Sequence, residues 1–344
     1  MEKTVALSEK ESFDLNQLND LLLSSLPGVT PISLITRFAG GYSNLTYQLT
    51  TSNKSFVMRM APPGANIQSA HDMGREYKVL SLLKPFFNKI PQPILYSTNT
   101  QITGTPFYIM EQLEGIILRA HNAPKLAITP TQFEHCAKQL VETLAQLHAI
   151  DIESTQLVQL GKPDGYVNRQ VEGWIKRYYN AETDLIASMN RVAEWLQNNH
   201  PKEQAPSLLH NDFKYDNIIF NNDLTEVIGV LDWEMATVGD PLMDLGAMLA
   251  YWFEQNEEPI FKQYNCTWLP GNLSRADLIA YYALITKRDL TDINYYYVFG
   301  LFKNAVIAQQ IYHRYKQGFS NDERFGALLP LIQLLGEKAL KASL

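Results

Sequence analysis

The chain has 344 residues, enough for two domain-sized units, and its composition, 46% hydrophobic and 19% charged, is that of an ordinary globular protein. Its formal net charge of −7 and its lack of clustered Lys and Arg argue against a broad nucleic-acid-binding surface, because that binding depends on displacing counterions with basic side chains, and we expect no nucleic-acid partner. The sequence contains no run of ~18 apolar residues and no apolar N-terminal signal, so we expect no membrane association and a cytoplasmic location.

The first third of the chain favours strands. Runs of alternating apolar residues, bounded by Gly, Asn and Pro, predict strands at 33–38, 45–50, 55–60, 94–97 and 106–111. Helical spacing of apolar residues predicts two helices, at 13–26 and 70–83, each ending before a proline. This part of the chain is therefore expected to form a small, sheet-rich lobe.

The rest of the chain is mostly helical in pattern. Apolar spacing predicts helices at 132–148, 170–198, 242–255 and through most of 274–343. Thr131 and Glu134 fit a capping box at the start of the first of these helices. One short β-hairpin interrupts them, with strands at 217–220 and 227–232.

A sheet-rich lobe followed by a helical lobe predicts an α+β fold of bilobal form, with a cleft between the lobes as the ligand site. We place the boundary between a nucleotide-binding lobe, 1–112, and a catalytic and substrate-binding lobe, 113–344.

The two cysteines indicate a reduced protein. Cys136 and Cys266 lie far apart in sequence and have no CxxC spacing. Cys136 falls on the apolar positions of a helical pattern, which predicts a buried thiol. A disulfide between them stays open, but free thiols are the simpler interpretation.

The polar residues around the hairpin carry the strongest chemical signal. The loop His210–Asn217 (HNDFKYDN) precedes the hairpin, and Asp232 ends its second strand. Because a hairpin folds the chain back on itself, we expect Asn217 and Asp232 to be neighbours. Amide and carboxylate oxygens at one point suit Mg²⁺, and Asp212 can then accept the proton of an attacking hydroxyl. The alternative is that these residues only cap and turn a loop, but the spacing of the whole set, with the hairpin and Asp232, favours a catalytic role.

The order HNDFKYDN, hairpin, LDWE, GDPLMDL resembles the aminoglycoside phosphotransferase / choline kinase superfamily, whose fold is similar to that of protein kinases. The resemblance implies transfer of the γ-phosphate of ATP to a hydroxyl, with Asp212 as catalytic base and Asn217 and Asp232 as Mg²⁺ ligands. It also implies that Asp240 braces the catalytic loop. Asp-Trp-Glu replaces the Asp-Phe-Gly of protein kinases and no Ala-Pro-Glu segment follows, so the chain is similar to the small-molecule branch.

The same resemblance implies that the first lobe binds the nucleotide. A glycine-containing turn between two strands lets backbone N–H groups approach phosphates; its candidate residues are Gly40, Gly41, Ser43 and Asn44. Arg59 stands where kinases carry the Lys that holds the α- and β-phosphates, and Glu76 matches its acidic partner. Arg in place of Lys is a departure, because a guanidinium grips phosphate in a different geometry.

The segment after the strand 106–111 matches the hinge that pairs adenine in kinases, which implies contacts from Glu111 and Leu113. Glu234, two residues after Asp232, is interpreted as an exposed carboxylate. His210 is expected to brace the catalytic loop rather than to act as a base.

The segments GGYSNLTYQL, VMRMAPPG, SAHDMGREYKVL and GTPFYIMEQLEG are similar to the kinase domain fused to some acyl-CoA dehydrogenases. That resemblance makes a hydroxyacyl-CoA one candidate for the hydroxylated small-molecule substrate. An aminoglycoside or choline, which requires an acidic or aromatic pocket, stays open. A nucleotide-binding pseudokinase acting through a protein partner also stays open, as do the choice between ATP and GTP and that between monomer and homodimer.

Overall fold

The computed structural model describes residues 4–8, 11–39, 44–62, 72–320 and 322–344. The chain forms two compact units. The first unit comprises Met1–Ile117 and Asn217–Ala236, and the second comprises Leu118–Asp216 and Thr237–Leu344. The hairpin predicted from the sequence therefore belongs to the sheet-rich unit, although helical segments flank it along the chain.

Within its described residues, the main sheet of the first unit has six antiparallel strands: β1 (Thr4–Val5), β2 (Leu34–Phe38), β3 (Leu45–Thr50), β4 (Ser55–Met60), β5 (Pro93–Ser97) and β6 (Phe107–Glu111). Their spatial order is β1-β2-β3-β4-β6-β5. All five predicted strands are confirmed. The first strand was missed because two residues show no alternation.

The first unit also contains helices α1 (Leu15–Ser25), α2 (Met73–Leu83) and α3 (Thr100–Thr103). An aspartate side chain caps each of the two longer helices: Asp14 accepts from the amide of Gln17, and Asp72 from that of Arg75. Residues 70 and 71 of the second predicted helix lie outside the described residues. One face of the sheet packs with α1 into a hydrophobic core that includes Leu18, Leu22, Tyr47, Leu49, Phe56, Met58 and Ile109.

The remaining short strands are β7 (Ser207–Leu209), β8 (Ile218–Phe220), β9 (Val227–Val230) and β10 (Thr237–Gly239). In the first unit, β8 and β9 form the predicted hairpin, with Ile218 opposite Val230. In the second unit, β7 and β10 form an antiparallel pair that the sequence pattern did not predict, because three residues are too few to show alternation.

The second unit is mainly helical. Its helices are α4 (Pro130–His148), α5 (Tyr166–Asn180), α6 (Ala187–Asn198), α7 (Pro241–Tyr251), α8 (Arg275–Thr286), α9 (Ile293–Lys316), α10 (Glu323–Gly326) and α11 (Leu329–Ala342). The single helix predicted at 170–198 is wrong: it is two helices, since the chain leaves helical geometry after Asn180. None of the helices in the described part of the chain combines the length and apolarity that a membrane crossing requires.

The predicted capping box of α4 is also wrong. The helix begins one residue before Thr131, with Pro130 in its first turn, and its capping box pairs Thr129 with Gln132. A proline at the first helical position already has the required φ and lacks only an N–H that would be unpaired there. Glu134 instead lies 2.6 Å from Lys138, one turn further along the helix.

Both cysteines are buried free thiols, so the predicted burial of Cys136 is confirmed.

Candidate active site

In the first unit, a buried arginine joins two acids. Arg59 lies on β4, which has β3 on one side and β6 on the other, and the residue is 9% exposed. Its Nη1 is 2.5 Å from Oε1 of Glu76 on α2, and its Nη2 is 3.0 Å from Oδ1 of Asp232 after β9. We call these three residues the Arg59 cluster. The predicted pairing of Arg59 with Glu76 is confirmed, and the contact with Asp232 is additional.

Electrostatics keep this arginine charged. Burial favours the neutral form, but the carboxylates of Glu76 and Asp232 outweigh it and hold the pKa of Arg59 well above its ordinary value. Glu76 is almost fully buried, and its Oε1 also accepts a hydrogen bond from the amide of Trp233 at 3.2 Å. The side chain of Asp232 is about a third exposed, which leaves it the accessible acid of the cluster.

The hairpin positions Asp232 close to Asn217. The amide of Leu231 donates to the carbonyl of Asn217 at 2.8 Å, so the residues that precede β8 and follow β9 are neighbours, as predicted. Asp232 has a φ of 68°, in the left-handed region that non-glycine residues seldom adopt. Such conformations cost about 1–3 kcal/mol and concentrate at functional sites.

Asn44, at the entrance to β3, is tied to the segment after the hairpin. Its Nδ2 donates to Oε2 of Glu234 at 2.8 Å, and Nη1 of Arg75 donates to the carbonyl of Glu234 at 3.0 Å. Glu234 is therefore a half-buried, hydrogen-bonded residue, and its interpretation as an exposed carboxylate is wrong. Gly40, Gly41 and Ser43 lie outside the described residues.

The predicted hinge follows β6. The amide of Glu111 donates to the carbonyl of Gln92 at 2.9 Å, and its carboxylate accepts from the amide of Gln92 at 3.2 Å. Leu113 packs against the hairpin, since a Cβ added at Gly229 would lie 2.5 Å from its Cδ1. Glycine at position 229 thus allows the segment after β6 to approach the hairpin closely.

In the second unit, the loop before the hairpin presents Asp212. Nζ of Lys214 lies 2.9 Å from Oδ1 of Asp212 and 4.4 Å from the ring centre of Tyr251. Burial alone favours protonated Asp212, but the Lys214 ammonium outweighs that effect and keeps the pKa of Asp212 below its ordinary value. Asp212 is consequently a carboxylate at neutral pH.

His210 supports this loop by a hydrogen bond. Its Nδ1 accepts a hydrogen bond from the amide of Asp212 at 3.2 Å, and the residue is fully buried. A ring nitrogen that accepts from the backbone is not free to take a substrate proton. The geometry agrees with the expectation that His210 braces the loop.

The strongest support comes from Asp244 on α7. Its Oδ2 accepts from the amide of His210 at 2.6 Å and its Oδ1 accepts from the amide of Asn211 at 2.7 Å. Nε2 of His148 lies 3.3 Å from Oδ2, and Nδ1 of His148 lies 2.8 Å from the hydroxyl of Tyr282. We call these five residues the Asp244 network. Because two amides and a histidine stabilise its charge, burial does not prevent the pKa of Asp244 from staying below its ordinary value.

The expectation that Asp240 braces the catalytic loop is therefore wrong; Asp244 does so. Asp240 is the N-cap of α7 and accepts from the amide of Leu242 at 2.8 Å, from that of Gln204 at 2.8 Å and from the hydroxyl of Tyr296 at 2.8 Å. The cap position directs its carboxylate to the first turn of the helix, whereas Asp244, one turn later, contacts the loop.

Lys303 on α9 was not predicted from the sequence. Its Nζ donates to the carbonyl of Asn211 at 2.8 Å, and the residue is 4% exposed. A single charged residue in the otherwise apolar run 298–308 (VFGLFKNAVIA, with only Asn304 also polar) was the signal that could have identified it.

Among the described residues, no group of three or more His, Cys, Asp or Glu side chains is arranged to hold a metal ion. Asn217 and Asp232 supply an amide and a carboxylate, which is the small set of oxygen ligands that Mg²⁺ uses when water and phosphate complete its shell. The donor set therefore fits Mg²⁺ and does not fit a structural zinc, which needs four Cys or His ligands.

The fold matches solved phosphotransferases. A Ralstonia eutropha protein, provisionally assigned as an aminoglycoside phosphotransferase, superposes with a TM-score of 0.82 at 27% identity, covering 96% of this chain and 98% of that one. The GDP complex of aminoglycoside 2'-phosphotransferase-IIIa gives a TM-score of 0.63 at 15% identity, over 96% and 100% of the two chains, and at that identity the likeness shows the fold alone.

A longer relative matches by sequence. Acyl-CoA dehydrogenase family member 11 of Homo sapiens is 36% identical over 312 residues, which are 90% of this chain and 40% of the human protein. The chain thus spans less than half the length of that relative.

These likenesses define the class as small-molecule kinases with an α+β, protein-kinase-like fold, and the predicted fold class, enzyme class and superfamily are confirmed. Residues 34–279 match the model of the phosphotransferase enzyme family, and the chain belongs to that family.

Proposed function

We propose that the protein transfers the γ-phosphate of Mg·ATP to a hydroxyl group of a small molecule. The observation that carries the proposal is the Arg59 cluster, in which one buried cation spans an internal acid, Glu76, and an accessible acid, Asp232. Nε of Arg59 is buried and has no hydrogen-bond partner among the described residues. An unpaired buried donor costs about 1–3 kcal/mol, and a phosphate oxygen brought by a ligand would remove that cost.

The two predicted lobes divide the work in this proposal. Residues 1–112 hold the nucleotide, and residues 113–344 supply the catalytic base and bind the acceptor. Aminoglycoside 2'-phosphotransferase-IIIa, which has the same fold, is solved with GDP, and that complex supports nucleotide binding here. We assign phosphate contacts to the segment with Gly40, Gly41, Ser43 and Asn44, and adenine contacts to Glu111 and Leu113.

In this proposal Asn217 and Asp232, the residues that the hairpin brings together, would hold Mg²⁺. Bound there, the ion would neutralise charge on the phosphate oxygens. Nη2 of Arg59 lies 3.0 Å from Oδ1 of Asp232 and orients that carboxylate.

Asp212 is the proposed base. The acceptor oxygen forms a bond to the γ-phosphorus, the bond to the β–γ bridging oxygen breaks, the hydroxyl proton passes to the Asp212 carboxylate, and ADP leaves. Asp212 is suited to this role because the Lys214 ammonium at 2.9 Å keeps it deprotonated at neutral pH.

For the acceptor we propose a hydroxyacyl-CoA, a substrate class suggested by the likeness to acyl-CoA dehydrogenase family member 11. The charges in the second unit support an anionic acceptor over a polycationic aminoglycoside. Lys214 and Lys303 both act electrostatically on Asp212. Two acids of the second unit are already paired: Glu257 is 2.6 Å from Arg275 and also pairs with Lys338, and Glu254 is 3.6 Å from Arg275.

The test is a Mg·ATP consumption screen over hydroxyacyl-CoAs, aminoglycosides, choline and other amino alcohols, with phosphorylated products identified by mass spectrometry. We expect a phosphorylated hydroxyacyl-CoA whose formation is lost in Asp212→Asn. Phosphorylation of other alcohols without any hydroxyacyl-CoA product would refute the acceptor. Absence of transfer to any acceptor, together with tight binding of a protein partner, would replace the kinase by a pseudokinase.

A further inference from the structure

A lysine is buried beneath the catalytic loop. The side chain of Lys303 comes from the middle of α9, and its hydrogen bond goes to a backbone carbonyl, that of Asn211, at 2.8 Å. Its Nζ also lies 5.6 Å from the ring centre of Trp174 on α5. Taking an ammonium out of water carries a penalty of several kcal/mol, which a neutral carbonyl compensates only in part. Stability alone therefore does not account for a lysine at this position.

The residue that Lys303 holds has an unusual backbone. Asn211 has a φ of 66° and directly precedes Asp212. Its amide is fixed by Asp244 at 2.7 Å, its carbonyl by Lys303 and its side-chain Oδ1 by the hydroxyl of Tyr166 at 3.2 Å. Three different elements thus fix one left-handed residue, and the direction of the next side chain depends on that residue.

We propose that Lys303 is a positioning residue for phosphoryl transfer: by holding the Asn211 carbonyl it fixes the left-handed turn that presents Asp212. The inference rests on the proposed role of Asp212 as base. Lys303 acts on the loop through this hydrogen bond, and its charge also helps to lower the pKa of Asp212. Without its hydrogen bond the peptide unit between Asn211 and Asp212 keeps the 3.2 Å bond from the Asp212 amide to His210 but loses the one at its carbonyl, so the Asp212 carboxylate is held less firmly in its productive direction.

The charges around Lys303 agree with this role. Asp212, Lys214 and His210 belong to the loop, Asp244 lies on α7 and Arg177 on α5. Burial lowers the pKa of Lys303 to about 8, and the carboxylates of Asp212 and Asp244 limit that fall. At neutral pH the side chain is thus protonated and keeps all three N–H donors.

The test compares Lys303→Met with a matched control on the same helix, Gln309→Leu. Gln309 is also buried on α9, and its Nε2 donates to a backbone carbonyl away from the loop, that of Ala181, at 3.1 Å. Three quantities are measured for each variant: the melting temperature, amide hydrogen exchange of a peptide covering residues 207–216, and steady-state kinetics with Mg·ATP and the acceptor found by the screen.

For Lys303→Met we expect kcat to fall about 10–100-fold with KM for ATP within twofold, because a misplaced base slows the chemical step without altering nucleotide binding. The melting temperature should not fall, since a buried charge has been removed, and loop amides should exchange faster. Gln309→Leu should show the reverse, with a lower melting temperature and unchanged kcat per folded molecule. Lys303→Arg, which keeps a charged donor, should recover part of the loop protection.

Wild-type loop exchange and kcat in folded Lys303→Met would overturn the proposal. So would a loss of melting temperature like that of Gln309→Leu with kcat unchanged, because that pattern describes a structural role. If Lys303→Met does not fold, the same measurements on Lys303→Gln decide, and wild-type loop exchange and kcat in that variant overturn the proposal. A wild-type protein with no transferase activity would refute the proposed function, yet the exchange comparison would still decide whether Lys303 holds the loop.

Discussion

The Arg59 cluster of the first unit and the Asp244 network of the second are both built from buried charged residues, but they differ in how completely their polar atoms are paired. In the Arg59 cluster, a buried Nε is unpaired among the described residues and the Asp232 side chain is about a third exposed. In the Asp244 network, Asp244 is fully buried and both of its oxygens accept backbone hydrogen bonds.

This difference separates binding from positioning. A polar group that is buried and fully paired gains nothing from a ligand, so its contribution goes into rigidity. A polar group that is partly exposed and has unused hydrogen-bonding capacity can form new hydrogen bonds with a ligand. We therefore propose ligand binding for the Arg59 cluster and loop geometry for the Asp244 network, although each contains one Asp.

The largest expected effect comes from the residue that the Asp244 network presents. Asp212→Asn should lower kcat by roughly 10²–10⁴-fold, because the amide cannot accept the hydroxyl proton. Nucleotide affinity, measured by calorimetry, should stay within twofold. A kcat within tenfold of wild type would remove Asp212 from the mechanism.

Breaking the network itself should cost stability. Asp244→Ala leaves two buried amides and a buried histidine without their acceptor, and we expect the free energy of unfolding in urea to fall by about 3–5 kcal/mol. Thr129→Ala, which removes only the cap of α4, is the control and should cost about 1 kcal/mol. Equal losses in the two variants would show that Asp244 is an ordinary cap-like residue.

The Arg59 cluster should respond in ligand binding instead. Arg59→Lys replaces a fork that spans two acids with a single ammonium that reaches only one at a time. We expect KM for ATP to rise about tenfold, equivalent to about 1.4 kcal/mol, with the unfolding free energy changed much less than in Asp244→Ala. An unchanged KM would show that the guanidinium fork does not contribute to nucleotide binding.

The smallest effect concerns pH. The pKa of Lys303 is about 8 in the folded protein and about 10.4 when unfolded, so between these values the unfolded chain binds more protons. Stability from this group therefore rises with pH across that window and is lowest below pH 8. Between pH 7 and 9, the free energy of unfolding of wild type, measured in urea, should rise by about 1 kcal/mol relative to that of Lys303→Met. If the two unfolding free energies instead change in parallel with pH, the ammonium of Lys303 is not desolvated.

The sequence predicted those parts that depend on local pattern. Alternation identified the strands from β2 to β6, and the hairpin with its Asn217–Asp232 neighbourhood followed from turn chemistry. The loop around Asp212 was recognised because its residues are contiguous.

What the sequence could not predict depends on contacts between distant segments. Lys303 lies about 90 residues from the loop that it holds, and its only local signal was a charge in an apolar run. Asp240 and Asp244 are equally plausible from their spacing, and the choice between them is made by which helical turn faces the loop. The pair β7–β10 was missed because three-residue strands are defined by their partner rather than by their own pattern.

We propose centrally that the Arg59 cluster, with its partly exposed Asp232, is the Mg²⁺-dependent nucleotide site. Isothermal calorimetry of ATP binding, with and without Mg²⁺, in wild type and Asp232→Ala tests it most directly. We predict that Mg²⁺ strengthens ATP binding in wild type and has no effect on Asp232→Ala. The same Mg²⁺ enhancement in both proteins would contradict the account.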